Sequence, residues 1–256
     1  MFQIIEYIKF LFKSTNQHGV HSPFVYDLVT KCFYDKSIYK DYQFIKSYRQ
    51  NLLEDSTEIT ITDFGSGSRV FNSNKRAINA IAKTSGSTLK RIKLLYRITK
   101  YFEPRQSLEL GTSLGMATQV LALGNPNNSI VSIEGCDQIS KIAEHQLKEA
   151  HILNVDIINS SFNEILPKLA NKHFDLIFFD GHHEKEATLN YFDILIKTAH
   201  NDSVFIFDDI YWSKDMKAAW KEIKAHPDVT VTVDTFFWGL VFFRNEQVKQ
   251  NFKIRV

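Results

Sequence analysis

The sequence predicts an α/β protein: a doubly wound, seven-stranded, mainly parallel sheet preceded by a helical N-terminal extension. Three observations carry that expectation. Beyond Pro104, short β-type runs alternate with helical stretches in five successive units. Two of those runs, Phe174 to Phe179 and Val204 to Phe207, are almost continuously apolar, as strands covered by helices on both faces are. The chain then closes on two further β-type runs, Val229 to Val233 and Leu240 to Phe243, joined by a turn holding Gly239. Such alternation implies a parallel sheet whose ligand sits at the carboxyl ends of its strands.

Taken in order, Phe2 to Phe12 reads as an apolar helix interrupted by Glu6 and Lys9. It is too short and too charged for a membrane span or a secretory leader, so it packs on the core, on a second subunit or lightly on a membrane. Helical patterns follow over residues 22–54, 73–84 and 88–102, with an alternating run at Glu58 to Thr62. Past Pro104 come a strand at Ser107 to Leu110 and a helix at Met116 to Leu123, stopped by Gly124 and Pro126. Strands at 130–133 and 155–158 then alternate with helices at 138–151 and 163–170. Helices at 184–199 and 214–225 flank the strand at Val204 to Phe207. The change of texture divides the chain into a helical extension at 1–103, covering the substrate side, and a ligand-binding domain at 104–256.

Composition narrows the class of function. With 44% hydrophobic and 23% charged residues the chain buries a real core, which excludes disorder and collagen-like repeats. A net charge of +2 makes no field that demands nucleic acid or an anionic membrane. The basic stretch Lys90 to Lys100 reads as a solvated helix face. Cys32 and Cys136 stand far apart with no partner at metal-ligand spacing, which fits a reducing cytoplasm. The expected partner is a small-molecule substrate, with no nucleic acid and no integral membrane association. The apolar N-terminal helix and the Phe236 to Gly239 segment are candidate surfaces for a homodimer.

Ten glycines in 256 residues is about half the usual share of roughly 7%, so their positions are informative. Two glycine-rich loops compete for a ligand. Asp63-Phe-Gly-Ser-Gly-Ser68 lacks an acid at the right distance and leads into no strand, which leaves it as a turn, a lid or an anion nest. Glu109-Leu-Gly-Thr-Ser-Leu-Gly115 leads at once into a good helix. The following strand ends in Glu134, 23 residues after Gly111, placed to accept hydrogen bonds from ribose hydroxyls. The Glu-x-Gly-x-x-x-Gly spacing differs from the Gly-x-Gly-x-x-Gly of nicotinamide enzymes. An acid in place of the first glycine suits a ligand that carries an amino group and has no pyrophosphate to cradle. S-adenosylmethionine is such a ligand.

On these residues, 104 to about 245 resemble a class I S-adenosylmethionine-dependent methyltransferase. Within that superfamily the likeness is to small-molecule O-methyltransferases of the catechol and caffeoyl-CoA type and their macrolide and aminocoumarin sugar relatives. The resemblance implies that Glu109, Gly111, Thr112, Ser113 and Gly115 line the methionine end of the cofactor. By the same likeness Glu134, with Gly135, holds the ribose, Ser161, Phe162 and Asn163 border the adenine, and Asp180 contacts the cofactor.

The fourth and fifth strands end in Asp180-Gly-His-His183 and Asp208-Asp209. Neighbouring parallel strands lie about 4.8 Å apart, so these carboxylates have the reach to converge on one point. The resemblance implies that Asp180, Asp208 and Asp209 hold a divalent ion, with Mg²⁺ the expected one; otherwise the three act separately. Methyl transfer to oxygen needs a positioned acceptor and a base. His183 is the expected base, with His182 beside it and Asp180 in support, because imidazole titrates near neutral pH. It stands where catechol-type enzymes carry a lysine, which moves the likeness towards the sugar and macrolide relatives. Two other classes share these features: a nicotinamide-dependent oxidoreductase and a non-catalytic cofactor-binding protein.

Overall fold

The computed structural model describes residues 1–62, 74–84 and 88–256. The Asp63–Ser68 loop therefore lies outside the described residues. Helix α1 spans Phe2–Lys13, and α2 spans Pro23–Asp27 and runs on into a wider π-type turn over Leu28–Phe33. Next come α3 (Asp41–Glu54), β1 (Glu58–Thr60), β2 (Lys75–Ala77), α4 (Ile78–Thr84) and α5 (Leu89–Phe102). The alternating part comprises β3 (Gln106–Leu110), α6 (Met116–Gly124), β4 (Ser129–Glu134), α7 (Asp137–Glu149), β5 (Val155–Asn159) and α8 (Phe162–Leu169). It continues through β6 (Leu176–Phe179), α9 (Lys185–Leu195), β7 (Val204–Phe207) and α10 (Lys214–Ala225). The last three strands are β8 (Val231–Asp234), β9 (Gly239–Phe242) and β10 (Gln250–Lys253).

The chain divides into two compact units, Lys36–Ile165 and Met1–Asp35 with Leu166–Val256. The helical extension expected over residues 1–103 contributes to both. In Lys36–Ile165, β3, β4 and β5 pair in parallel, with Leu110 opposite Ile133 and Glu134 opposite Asn159. The pair β1 and β2 runs antiparallel beside them in sequence. Helix α5 starts on a Thr88 cap whose hydroxyl accepts from Arg91 N–H, and ends on Glu103 in the left-handed region just before Pro104. That pair of signals sets where β3 begins.

In the other unit the strand order is β6, β7, β9, β8, β10. The pairs β6–β7 and β8–β10 are parallel, whereas β9 runs antiparallel to both of its neighbours. All eight residues of β6 and β7 are buried, each large side chain contributing roughly 1.5 to 3 kcal/mol. Phe179 stacks on Phe207 at 4.2 Å between centroids, and Phe178 meets Trp238 edge to face. Helix α1 lays Phe10 and Glu6 inward, Glu6 bonding Lys217 Nζ at 2.6 Å and Lys9 Nζ at 3.0 Å. Burial works to raise the Glu6 pKa, but those two hydrogen bonds hold it below the usual carboxylate value.

The α/β alternation stands as expected, with three differences. Among the described residues, and leaving aside the β1–β2 pair, the three parallel strands β3 to β5 and the five strands of the other unit number eight, one more than the sequence suggested. The added strand is β10, which pairs with β8 and then joins Ile254 to Thr15 by a parallel bridge. The helical pattern over 22–54 breaks after Phe33, because the π-type turn ends the hydrogen-bonded ladder before α3. Gly239 does not turn the hairpin: it opens β9, and a Cβ there would meet the Trp220 ring at 2.6 to 2.8 Å. The turn belongs to Thr235–Trp238, with Phe236 at φ 74°.

Gly239→Ala should cost about 1 to 3 kcal/mol, because Trp220 is fully buried and has no room to retreat. A thermal melt should show a drop of several degrees. An unchanged melting temperature would mean the ring relaxes freely.

Candidate functional site

The loop between β3 and α6 is built on alternating left-handed residues: Gly111 at φ 101°, Ser113 at φ 48° and Gly115 at φ 75°. Glycine meets two of those positions without strain. Ser113, which carries a Cβ, is held there by its N–H, which donates to Glu134 Oε2 at 2.9 Å. The N–H groups of Gly111 and Thr112 both donate to the Ile133 carbonyl, at 3.0 and 3.2 Å. The loop is thus pinned to the end of β4.

Glu109 is fully buried near the end of β3. Its Oε2 accepts from Thr118 Oγ1 at 2.6 Å and from Ser132 Oγ at 2.5 Å. Ser132 is Glu109's register partner on β4. Because the Ser132 proton is committed to Glu109, Thr112 Oγ1 donates to Ser132 Oγ in turn, at 2.5 Å. Glu109 Oε1 has no hydrogen-bond partner. Burial pushes the Glu109 pKa up to about 7; the Ser132 and Thr118 hydroxyls oppose the shift, and the charge of Glu134 adds to it.

Glu134, at the neighbouring strand tip, is half-buried and gripped by two backbone amides, Ser113 N–H on Oε2 and Cys136 N–H on Oε1, each at 2.9 Å. Its carbonyl accepts from Asn159 Nδ2 at 2.8 Å and Ser160 N–H at 3.1 Å. Gly135 shares the Asn159 amide at 3.2 Å. Ser161 then caps α8, its carbonyl accepting from Glu164 and Ile165 N–H, and Phe162 is buried behind it. Glu109, Gly111, Thr112, Ser113, Gly115, Glu134, Gly135, Ser161 and Phe162 therefore all lie in the unit Lys36–Ile165. Thr118 and Ser132 were not singled out from sequence. The signal available was a lone serine in the apolar run Ile130-Val-Ser-Ile133.

The second group lies in the other unit. His183 Nε2 stands 3.7 Å from Asp180 Oδ1, both side chains about a quarter exposed. Although solvent reaches it, His183 is densely surrounded. Burial lowers its pKa, the charge of Asp208 opposes that, and His182 adds to it. His182 occupies φ 59°, so the turn expected at Gly181 bends through His182 instead. Its Nδ1 lies 3.3 Å from Tyr191 OH.

Among the described residues no group of three or more His, Cys, Asp or Glu is placed to hold a metal ion. Asp208 Oδ1 accepts from the Asp209 N–H at 2.8 Å, Asp209 sits at φ 52°, and Asp180 Oδ1 stands 3.7 Å from His183 Nε2.

These features meet a family description. Residues 108–210 match the family model described as a methyltransferase domain. That match spans less than half of the chain. Over 140 residues the chain is 29% identical to a catechol O-methyltransferase of Mycobacterium tuberculosis, a match covering 51% of this chain and 63% of that protein. Solved structures share the fold. One is the O-methyltransferase TomG of Streptomyces achromogenes, involved in tomaymycin synthesis and bound to S-adenosylmethionine: 22% identity, 62% of this chain and 82% of that one, TM-score 0.54. Another is the Podospora anserina methyltransferase PaMTH1 bound to S-adenosylhomocysteine: 12% identity, 88% and 97% coverage, TM-score 0.61.

The raised pKa of Glu109 makes the stability of the fold depend on pH. The folded carboxyl holds its proton more tightly than the unfolded chain does, so its stabilising effect is complete below about pH 4.5. That effect is lost as pH rises through about 7. Thermal melts of the ligand-free protein should lose on the order of 3 kcal/mol across that window. Glu109→Gln should remove this part of the slope; a pH profile unaltered by the substitution would place the titration elsewhere.

Proposed function

We propose that the protein is an S-adenosylmethionine-dependent O-methyltransferase acting on a hydroxyl of a small molecule. One observation carries the reading: two acids stand on adjacent parallel strands, Glu109 with one buried oxygen unpartnered and Glu134 fixed by two loop amides. An ammonium group offers a donor to the unpartnered Glu109 oxygen, and a ribose diol offers donors suited to a strand-end carboxylate. The residues present fit that cofactor, with Glu109 and the Gly111–Gly115 loop toward its amino acid portion, Glu134 and Gly135 toward its ribose, and Ser161 and Phe162 toward its adenine.

When bound, the cofactor supplies a methyl group on a sulfonium, which an oxygen displaces in line. What remains for the chain is to orient the acceptor, exclude water and take up a proton. His183 is the base. Its lowered pKa keeps the imidazole neutral, hence able to accept, to a lower pH than an ordinary histidine, while the charge of Asp208 favours the imidazolium once the proton arrives. Asp180 flanks it, and His182 is tied to Tyr191. In this reading residues 1–103 select the acceptor and 104–256 bind the cofactor. A cytoplasmic setting suits the two buried free thiols. No helix among the described residues is long and apolar enough to cross a membrane. The exposed outer face of α1, with Ile4, Ile8, Leu11 and Phe12, is the proposed homodimer surface.

Calorimetry with S-adenosylmethionine and its demethylated product tests the reading, and the absence of binding by either would overturn it. Glu134→Ala should weaken binding by about 1 to 3 kcal/mol through lost charged hydrogen bonds. Once an acceptor is found by screening small hydroxylated compounds, His183→Ala should lower kcat by about 10²- to 10⁴-fold. Wild-type kcat should fall on acidification with a midpoint below about 6.5. A variant with full kcat would remove His183 from the role of base.

A further inference from the structure

Helix α3, from the N-terminal extension, reaches the cofactor loop within the same compact unit. Its buried stripe is Ile45, Tyr48 and Leu52, one side chain per turn. Two of these are ordinary core residues. Tyr48 differs, because it carries a polar atom into the interior and delivers it to the loop: its hydroxyl donates to the Leu114 carbonyl at 2.8 Å. Leu114 lies one residue before the Gly115 cap of α6, so that carbonyl stands outside the helical ladder. The cap's own carbonyl is taken by Gln119 N–H at 2.9 Å.

A second observation concerns Gly115. Its left-handed φ alone favours glycine, but the space around it is also claimed: a Cβ there would lie 2.7 Å from the Tyr48 hydroxyl and 3.4 Å from Leu147. The loop has no side chain at the point where the phenol approaches. A third is electrical. Burial raises the Tyr48 pKa, and the charge of Glu109 adds to that shift, so the phenol senses the same carboxyl whose Oε1 is unpartnered.

We infer that Tyr48 is a positioning residue for the cofactor loop: by holding Leu114 from α3 it fixes the Gly111–Gly115 turn in its ligand-ready shape. This rests on the methyltransferase reading. It assigns to the extension a part in cofactor affinity, beyond any part in acceptor choice. The hydroxyl bond to Leu114 adds to the anchors of the turn on the Ile133 carbonyl and Glu134.

The test compares S-adenosylhomocysteine binding by wild type, Tyr48→Phe, Gly115→Ala and the double variant. Tyr48→Phe keeps the ring and removes one hydrogen bond, and it should bind roughly five- to tenfold more weakly. The KM for S-adenosylmethionine should rise by the same factor, while kcat at saturating cofactor stays at the wild-type value. A residue that merely packs α3 would not produce that split. Gly115→Ala should weaken binding less in the Tyr48→Phe background than in wild type, since the colliding oxygen is gone. Wild-type affinity in Tyr48→Phe, or strict additivity in the double variant, would overturn the inference and leave the methyltransferase reading in place. Failure of the wild type itself to bind would overturn both.

Discussion

The fully buried carboxyl of Glu109 is the constraint around which the strand ends and loops of the unit Lys36–Ile165 are arranged. Removing a carboxylate from water is costly unless hydrogen bonds or a counter-charge replace the solvent. The chain supplies two hydroxyls, from Ser132 in register on β4 and from Thr118 one turn into α6. That demand dictates a serine inside an otherwise apolar strand and a threonine at the start of a helix, two positions where packing alone would choose an aliphatic residue. The satisfaction is deliberately incomplete in its chemistry: one oxygen has two donors and the other has none. A buried unsatisfied oxygen costs roughly 1 to 3 kcal/mol.

The same logic separates the two histidines of the other unit. His182 sits in the left-handed region, a conformation uncommon for a side chain with a Cβ, and its Nδ1 is within reach of Tyr191. That combination uses His182 to shape the turn after β6. His183, released by that turn into a regular backbone, faces Asp180 and feels Asp208. The left-handed backbone is thus carried by His182 alone. Asp208 and Asp209 show a parallel division, with Asp208 capping the amide of Asp209 and Asp209 taking the left-handed φ. Phe236 repeats the pattern in the last turn, at φ 74° between Tyr211, Tyr7 and Phe10, with its N–H on Asp234.

The parts legible in the sequence are those governed by local chemistry. Leu176-Ile-Phe-Phe179 and Val204-Phe-Ile-Phe207 are apolar without interruption, and only a strand covered on both faces uses such a run. Gly111, Gly115 and Glu134 were legible because φ > 0 and a strand-end acid each leave a residue-type signature. What was not legible depends on contacts between distant segments. The sequence Gln250-Asn-Phe-Lys253 has weak strand character and becomes β10 because β8 offers it an open edge and Thr15 receives its continuation. Gly239 looked like a turn residue, but the approach of Trp220 is what requires it. Strand-end position brings side chains near one another, but their direction is decided by local bonds such as that from Asp209 N–H to Asp208 Oδ1.

Tyr48 belongs to that second category, and it shows why a helical extension is more than an addition to the α/β core. Nothing in Tyr-Gln-Phe-Ile-Lys-Ser-Tyr48 distinguishes its last tyrosine from a packing residue. Its meaning arises only where the hydroxyl meets a carbonyl that no helix or strand satisfies. A loop of alternating left-handed residues has little enthalpic preference for one shape, and each residue it fixes costs on the order of 1 to 2 kcal/mol of backbone entropy. Fixing the loop before the ligand arrives moves that cost from binding to folding, where the buried stripe of Ile45 and Leu52 offsets it. The core then presents Glu109 and Glu134 in one arrangement, and a single phenol from the extension keeps the turn between them from relaxing.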